Sequence, residues 1–164
     1  MKTKLLFFIL TFPLFLNAQE YLSAVGLRGG LSSGVTCRFF SNDENAIEAL
    51  LSFRDCGIQL TAMEEKFMPV FLNYSEHIFL YYGYGGHLGY SKWPDEDYYN
   101  SHRYYINALP LVGIDGIAGL EYRFYKFPVT TGIDFKPFSE LGGRRFFRLN
   151  LCDFGITLKY TFKK

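Results

Sequence analysis

Val112-Gly113-Ile114-Asp115-Gly116-Ile117-Ala118-Gly119-Leu120-Glu121-Tyr122-Arg123-Phe124 is the stretch on which the reading of this chain turns. Every second residue from Val112 to Phe124 is apolar or small. The positions between them hold Gly113, Asp115, Gly119, Glu121 and Arg123, with Ile117 the one apolar exception. Side chains of period two fall on opposite faces of an extended strand, so this is a strand with one apolar and one charged wall. The division recurs elsewhere. Phe154, Ile156, Leu158, Tyr160 and Phe162 oppose Asp153, Gly155, Thr157, Lys159 and Thr161. Val129, Ile133 and Phe135 oppose Thr130, Gly132, Asp134 and Lys136, and Ile47, Ala49, Leu51 and Phe53 oppose Glu48, Ser52 and Arg54.

A soluble antiparallel sheet also alternates. Here, however, the polar faces are rich in glycine and in charges of both signs. Aromatics collect at one set of strand ends (Tyr21, Phe39, Phe40, Tyr122, Phe124, Phe127, Tyr160, Phe162), as an interfacial girdle requires. Eight such segments follow one another: Tyr21–Gly29, Ser33–Phe40, Ala46–Arg54, Gly57–Lys66, His77–Tyr90, Leu111–Phe124, Val129–Phe138 and Asn150–Phe162. Most match the ~9–11 residues that a tilted membrane strand needs. A mean hydropathy of +0.02 over 164 residues leaves no room for long apolar helices, and 20% aromatics with 16 glycines suit strands and tight turns. The predicted fold class is all-β: an eight-stranded antiparallel up-and-down transmembrane β-barrel.

Ahead of it, Lys2 and Lys4 precede an apolar run from Leu5 to Leu16, then Asn17-Ala18. That is the pattern of a secretory signal peptide, 1–18, cleaved after Ala18 to leave the barrel as 19–164. Losing Lys2 and Lys4 leaves fifteen basic against sixteen acidic residues, which offers nothing to nucleic acid. Cys37, Cys56 and Cys152 are an odd set, read as small apolar fillers. An even strand count puts both ends on the periplasmic side. Ser41–Asn45 and Tyr125–Pro128 then become periplasmic turns, and Ser91–Pro110 and Ser139–Leu149 become outer loops.

Leu27-Arg28-Gly29-Gly30, Ser33-Gly34-Val35-Thr36 and Ala46-Ile47-Glu48 resemble the small outer-membrane barrel proteins of the Bacteroidota. So do Tyr81-Tyr82-Gly83-Tyr84-Gly85-Gly86-His87-Leu88-Gly89, Ile114 to Tyr122, and Asp134-Phe135-Lys136-Pro137, in the same order along nearly the whole mature chain. The resemblance implies that family's fold and its outer-membrane location. It brings no catalytic motif, and so no active-site residues, to this chain.

The charged wall must face the lumen, and it contains Arg28, Arg38, Glu48, Asp115, Glu121, Arg123, Asp134, Lys136, Asp153 and Lys159, five acids and five bases. Eight strands enclose only enough space for side chains, and buried charges are tolerated when paired. The set is therefore read as a structural ion-pair network, with neighbouring glycines relieving crowding. His87 shares the inward face with Gly83, Gly85 and Gly89 and is placed to meet Asp115. It is the residue on which an alternative reading, a lipid-modifying enzyme, would rest. A soluble periplasmic ligand-binding barrel is disfavoured by so charged an interior. For recognition at the surface the best candidates are Trp93, Asp95, Glu96, Asp97, Tyr98 and Tyr99, since Trp and Tyr serve as binding anchors and the acids attract hard cations. Gly142-Gly143-Arg144-Arg145 offers a contact for lipopolysaccharide phosphates. No cofactor, metal site or catalytic residue is expected. The partners are outer-membrane lipid, lipopolysaccharide and the barrel-assembly machinery, with any surface ligand unidentified. A tag inserted after Asp97 should be labelled on intact cells; labelling only after lysis would invert the topology.

Overall fold

The computed structural model describes residues 22–54, 56–70, 77–94, 106–124, 126–143 and 146–162. The leader 1–18, its cleavage point and Tyr21 lie outside the described residues, as do Asp95, Glu96, Asp97, Tyr98 and Tyr99. All the regular structure described is strand: β1 Ser23–Gly30, β2 Ser33–Phe40, β3 Asn45–Arg54, β4 Gly57–Pro69, β5 Ile78–Pro94, β6 Ile106–Arg123, β7 Val129–Phe135, β8 Phe138–Gly142, β9 Phe147–Asn150 and β10 Phe154–Phe162.

Pairing is antiparallel throughout, and β1 to β6 each pair with the next strand in the chain. β6 holds both β7 and β8 in one continuous register, with Ala118 opposite Phe135 and Asp115 opposite Phe138. Those two segments are therefore one stave. β10 pairs with β7 on one side and with β1 on the other, closing the ring. The result is a closed eight-stranded antiparallel β-barrel. Closure matters physically because the first and last staves pair with each other, so the ring itself has no open strand edge.

Where the last two staves break, the sequence shows why. Phe135 pairs with Phe154 and Phe138 with Asn150, so Lys136-Pro137 faces three residues, Leu151 to Asp153. Pro137 has no N–H to give the ladder, and the extra residue opposite it makes a β-bulge. The seam stays bonded: Lys136 N donates to Asp153 O at 2.7 Å and Gly116 N to Pro137 O at 2.9 Å. The extra residue reverses the parity of the stave, so that Asp153, Gly155, Thr157 and Lys159 are buried below it.

Several expected boundaries move. β4 runs on to Pro69, and β5 and β6 extend to Pro94 and Ile106, pairing Trp93 with Asn107. Much of the expected outer loop Ser91–Pro110 is thus a hairpin. The expected loop Ser139–Leu149 is mostly the β8–β9 hairpin, turning at Gly142 (φ +102°) and Gly143 (φ +68°). Proline and paired glycines had marked these stretches as loops. Yet Pro110 sits within an unbroken β5–β6 ladder, with partners on either side of it. Phe40 also departs from the expected interfacial girdle. It shares parity with Arg38, turns inward and packs against Phe67, the rings tilted at 51° with centroids 5.0 Å apart. Together with Phe79 it packs on a small apolar cluster of Ala46, Met63, Phe67, Tyr81 and Ile117. The cysteines are not core fillers: Cys56 and Cys152 are exposed and Cys37 is half-buried, all three as free thiols.

Arg54 and Gly57 close the β3–β4 hairpin around Asp55-Cys56. Cys56 takes φ +56°, the one non-glycine positive φ among the described residues. A side chain there costs about 1–2 kcal/mol, and Asp-Gly is the favoured pair for such a turn. Cys56→Gly should raise the unfolding midpoint in urea, by about 1 kcal/mol of stability. A lower midpoint would show that the turn does not carry this strain.

Candidate functional site

Among the described residues, the buried charged groups gather in the lumen. Arg38, fully buried on β2, stands at the centre of the first group. Its guanidinium meets Glu48 at 2.6 Å, Glu65 at 2.9 Å, and Glu121. The rings of Phe67 and Tyr81 lie 4.8 and 5.2 Å from its Cζ. Glu48 also accepts from Lys159 Nζ and from Thr36 Oγ1, both at 2.5 Å. Arg123 adds a bond to Glu121 at 3.1 Å and lies over Phe79 at 3.7 Å. Around the ring β2 and β6 stand four staves apart, so the Arg38–Glu121 pair spans the full width of the lumen.

A second group runs as a chain. Arg28 binds Asp134 through Nε (3.0 Å) and Nη2 (2.5 Å), and Asp153 through Nη1 at 3.2 Å. Ser32 Oγ donates to Asp153 at 2.6 Å. Lys136 Nζ lies 4.0 Å from Asp153 and donates to Asp115 at 2.7 Å. Asp115 meets His87 Nδ1 at 2.6 Å, and His87 Nε2 lies 3.6 Å from Glu140. Glu140 in turn pairs with Arg54 and, at 3.5 Å, with Arg148. Arg54 on β3 and Glu140 on β8 are again opposite walls, which makes a second brace across the lumen.

Of the ten residues expected to face inward, nine are buried and Arg123 is half-buried. Three further buried members were missed, along with the half-buried Arg148. Arg54 shared the charged face of its segment with Glu48, which was signal enough. Glu140 was hidden in the expected loop. Glu65 was hidden in Glu64-Glu65-Lys66, where consecutive charges blur the alternation. With them included, each of the seven buried carboxylates among the described residues (Glu48, Glu65, Asp115, Glu121, Asp134, Glu140, Asp153) touches a cation.

Glycine makes room for the largest of these side chains. A Cβ on Gly119 would lie 2.6 Å from the Tyr81 ring, one on Gly113 2.4 Å from His87 Cε1, and one on Gly155 2.6 Å from the Arg28 guanidinium. His87 is thus held over a bare backbone, with its ring edge-on to Phe138 at 6.0 Å. In a hydrolase of the serine type the nitrogen remote from the orienting acid faces a nucleophile. In this lumen it faces Glu140, and no described hydroxyl or thiol bonds to the ring. The arrangement orders the imidazole between two acids. Among the described residues no group of three or more His, Cys, Asp or Glu is placed to hold a metal. Of the expected surface-recognition residues, Trp93 lies on β5.

No protein-family model matches the chain, and no curated protein matches it. Among solved structures it is similar to the N-terminal β-barrel domain of Pseudomonas aeruginosa OprF, with a TM-score of 0.57 at 12% identity, over 88% of this chain and 100% of that one. At this identity the likeness is one of fold: two closed barrels of corresponding size.

Removing the central cation should be the costliest single change in the wall. Arg38→Ala leaves Glu48, Glu65 and Glu121 facing one another and should lose roughly 3–5 kcal/mol, the cost of breaking a buried pair. Leu158→Ala, on the exposed face, strands no polar group and should lose less. If urea unfolding in detergent micelles ranks them the other way, the faces have been assigned inside out.

Proposed function

We propose that this chain is a non-enzymatic outer-membrane β-barrel with a structural role, closed to solute flow. The observation that carries this reading is the pair of braces across the lumen, Arg38 to Glu121 and Arg54 to Glu140, set in a ring of only eight staves. Two further features support it. Leu27, Ile47, Leu60, Ile114, Ile133, Ile156 and Leu158 are each more than half exposed and lie on strands all round the ring. A soluble protein does not tolerate so broad an apolar surface, whereas lipid does. The resemblance to small Bacteroidota barrels, drawn from stretches such as Leu27 to Gly30 and Ile114 to Tyr122, points the same way. On this reading the signal peptide delivers the chain to the periplasm, the barrel-assembly machinery inserts it, and lipid and lipopolysaccharide surround it. Trp93, Asp95, Glu96, Asp97, Tyr98 and Tyr99 are the candidates for recognising a surface ligand, by the residue types they bring.

The mature protein should fractionate with the outer membrane and migrate faster on a denaturing gel when unheated. In planar bilayers it should show no steady conductance. Recovery in the soluble periplasm without a heat shift overturns the location, and a stable open channel overturns the closed lumen.

A further inference from the structure

On β4 the outward face reads Ile58, Leu60, Ala62, Glu64, Lys66, Met68, all exposed. Glu64 is the eighth of the thirteen residues of that strand, with ladder on both sides of it, opposite Ile47 on β3 and Tyr84 on β5. A carboxylate therefore stands mid-strand on the wall that the proposed function gives to lipid. Lys66 lies 3.5 Å from Glu44 of the turn before β3, with both side chains exposed. Among the described residues, no hydrogen bond or ion pair reaches Glu64. Ionisable groups at membrane depth face other protein rather than hydrocarbon, because lipid gives them no partner.

The wall beside Glu64 is shaped for a close neighbour. Ala49, Ala62 and Gly86 lie abreast on β3, β4 and β5, between a row of Leu51, Leu60 and Leu88 and a row of Ile47, Glu64 and Tyr84. The result is a shallow band of nearly bare backbone beside a tyrosine that is 71% exposed. Small residues at membrane depth let two protein surfaces approach closely.

We propose that this face of β3, β4 and β5 docks a second copy of the same chain within the membrane, with Glu64 of each copy paired to Lys66 of the other. Self-complementarity selects this occupant. A two-fold contact joins residue i to j and j to i, and an acid and a base two residues apart on one outward face meet that condition without help from another protein. Tyr84 of each copy then lies over the small-residue band of the other. The proposal rests on the membrane reading above.

The test uses full-length protein in outer-membrane fractions, with Cys37, Cys56 and Cys152 replaced by serine. A single cysteine is placed either at Ala62, in the band, or at Leu158 on β10, four staves away. A short bismaleimide should give a covalent dimer with Ala62→Cys and none with Leu158→Cys. Adding Glu64→Lys to Ala62→Cys should abolish the dimer, and adding Lys66→Glu as well should restore it. Glu64→Gln, a milder change, should weaken the dimer band. The heat shift of each variant on a gel confirms that it is folded. Heat-shifting Ala62→Cys that stays monomeric, equal cross-linking at Leu158→Cys, or a dimer indifferent to charge reversal each overturns the docking face while leaving the membrane reading intact. Protein found in the soluble fraction overturns both.

Discussion

A buried guanidinium carries a full charge and five N–H donors, and inside a ring of eight strands other side chains are what it has to satisfy them. Arg38 is in that position, and much of the surrounding wall follows from it. Glu48, Glu65 and Glu121 come to it from three different strands, the stacked rings of Phe67 and Tyr81 lie against it, and Lys159 supplies a second cation to Glu48. Each of these groups has to fall on the inward parity of its own strand. A slip of one residue in any register would move an entire set of charges to the other face. The network thus does more than fill space: it penalises nearly every alternative alignment of the staves.

The same logic explains the bulge and the glycines. Without the extra residue at Leu151 to Asp153, the stave carrying Lys159 would keep the parity set by Arg148, and Lys159 would turn outward with the rest of β10. With it, Asp153 sits between Arg28 and Lys136, and Lys159 reaches Glu48. Gly113, Gly119 and Gly155 supply the missing volume that His87, Tyr81 and Arg28 occupy. Outside, no such fitting is needed. Leucine, isoleucine and phenylalanine stand singly against what the proposed function takes to be acyl chains. Against that surface Glu64 and Lys66 are the charged residues on the outward face of β4, and among the described residues no hydrogen bond or ion pair reaches Glu64.

Much of this was legible in the sequence because a wall with an apolar outer face and a charged inner face enforces period two more strictly than a core does. β10 shows it without interruption and β6 with Ile117 as its one exception, and their inward residues could be read residue by residue. Legibility failed where the alternation carried a different message. In Glu64-Glu65-Lys66 three charges in a row conceal that only the middle one faces the lumen. Gly142 and Gly143 read as loop because paired glycines usually end strands, so Glu140 and the β8–β9 hairpin were lost with them. Phe40 was taken for a girdle residue because composition cannot tell an aromatic that caps a lumen from one that meets an interface. The crosswise pairs Arg38–Glu121 and Arg54–Glu140 join residues far apart in sequence and become visible only when the ring closes.

The central claim is that one face of every stave meets lipid and the other meets only protein. Tryptophan scanning tests it most directly, one residue at a time along β10 from Phe154 to Phe162, in vesicles whose acyl chains carry bromine as a short-range quencher. The single native tryptophan, Trp93, is first replaced by phenylalanine. Quenching should alternate, strong at positions 154, 156, 158, 160 and 162 and weak at the positions between. Uniform quenching, or none, would contradict a wall with lipid on one side and a closed, charged lumen on the other.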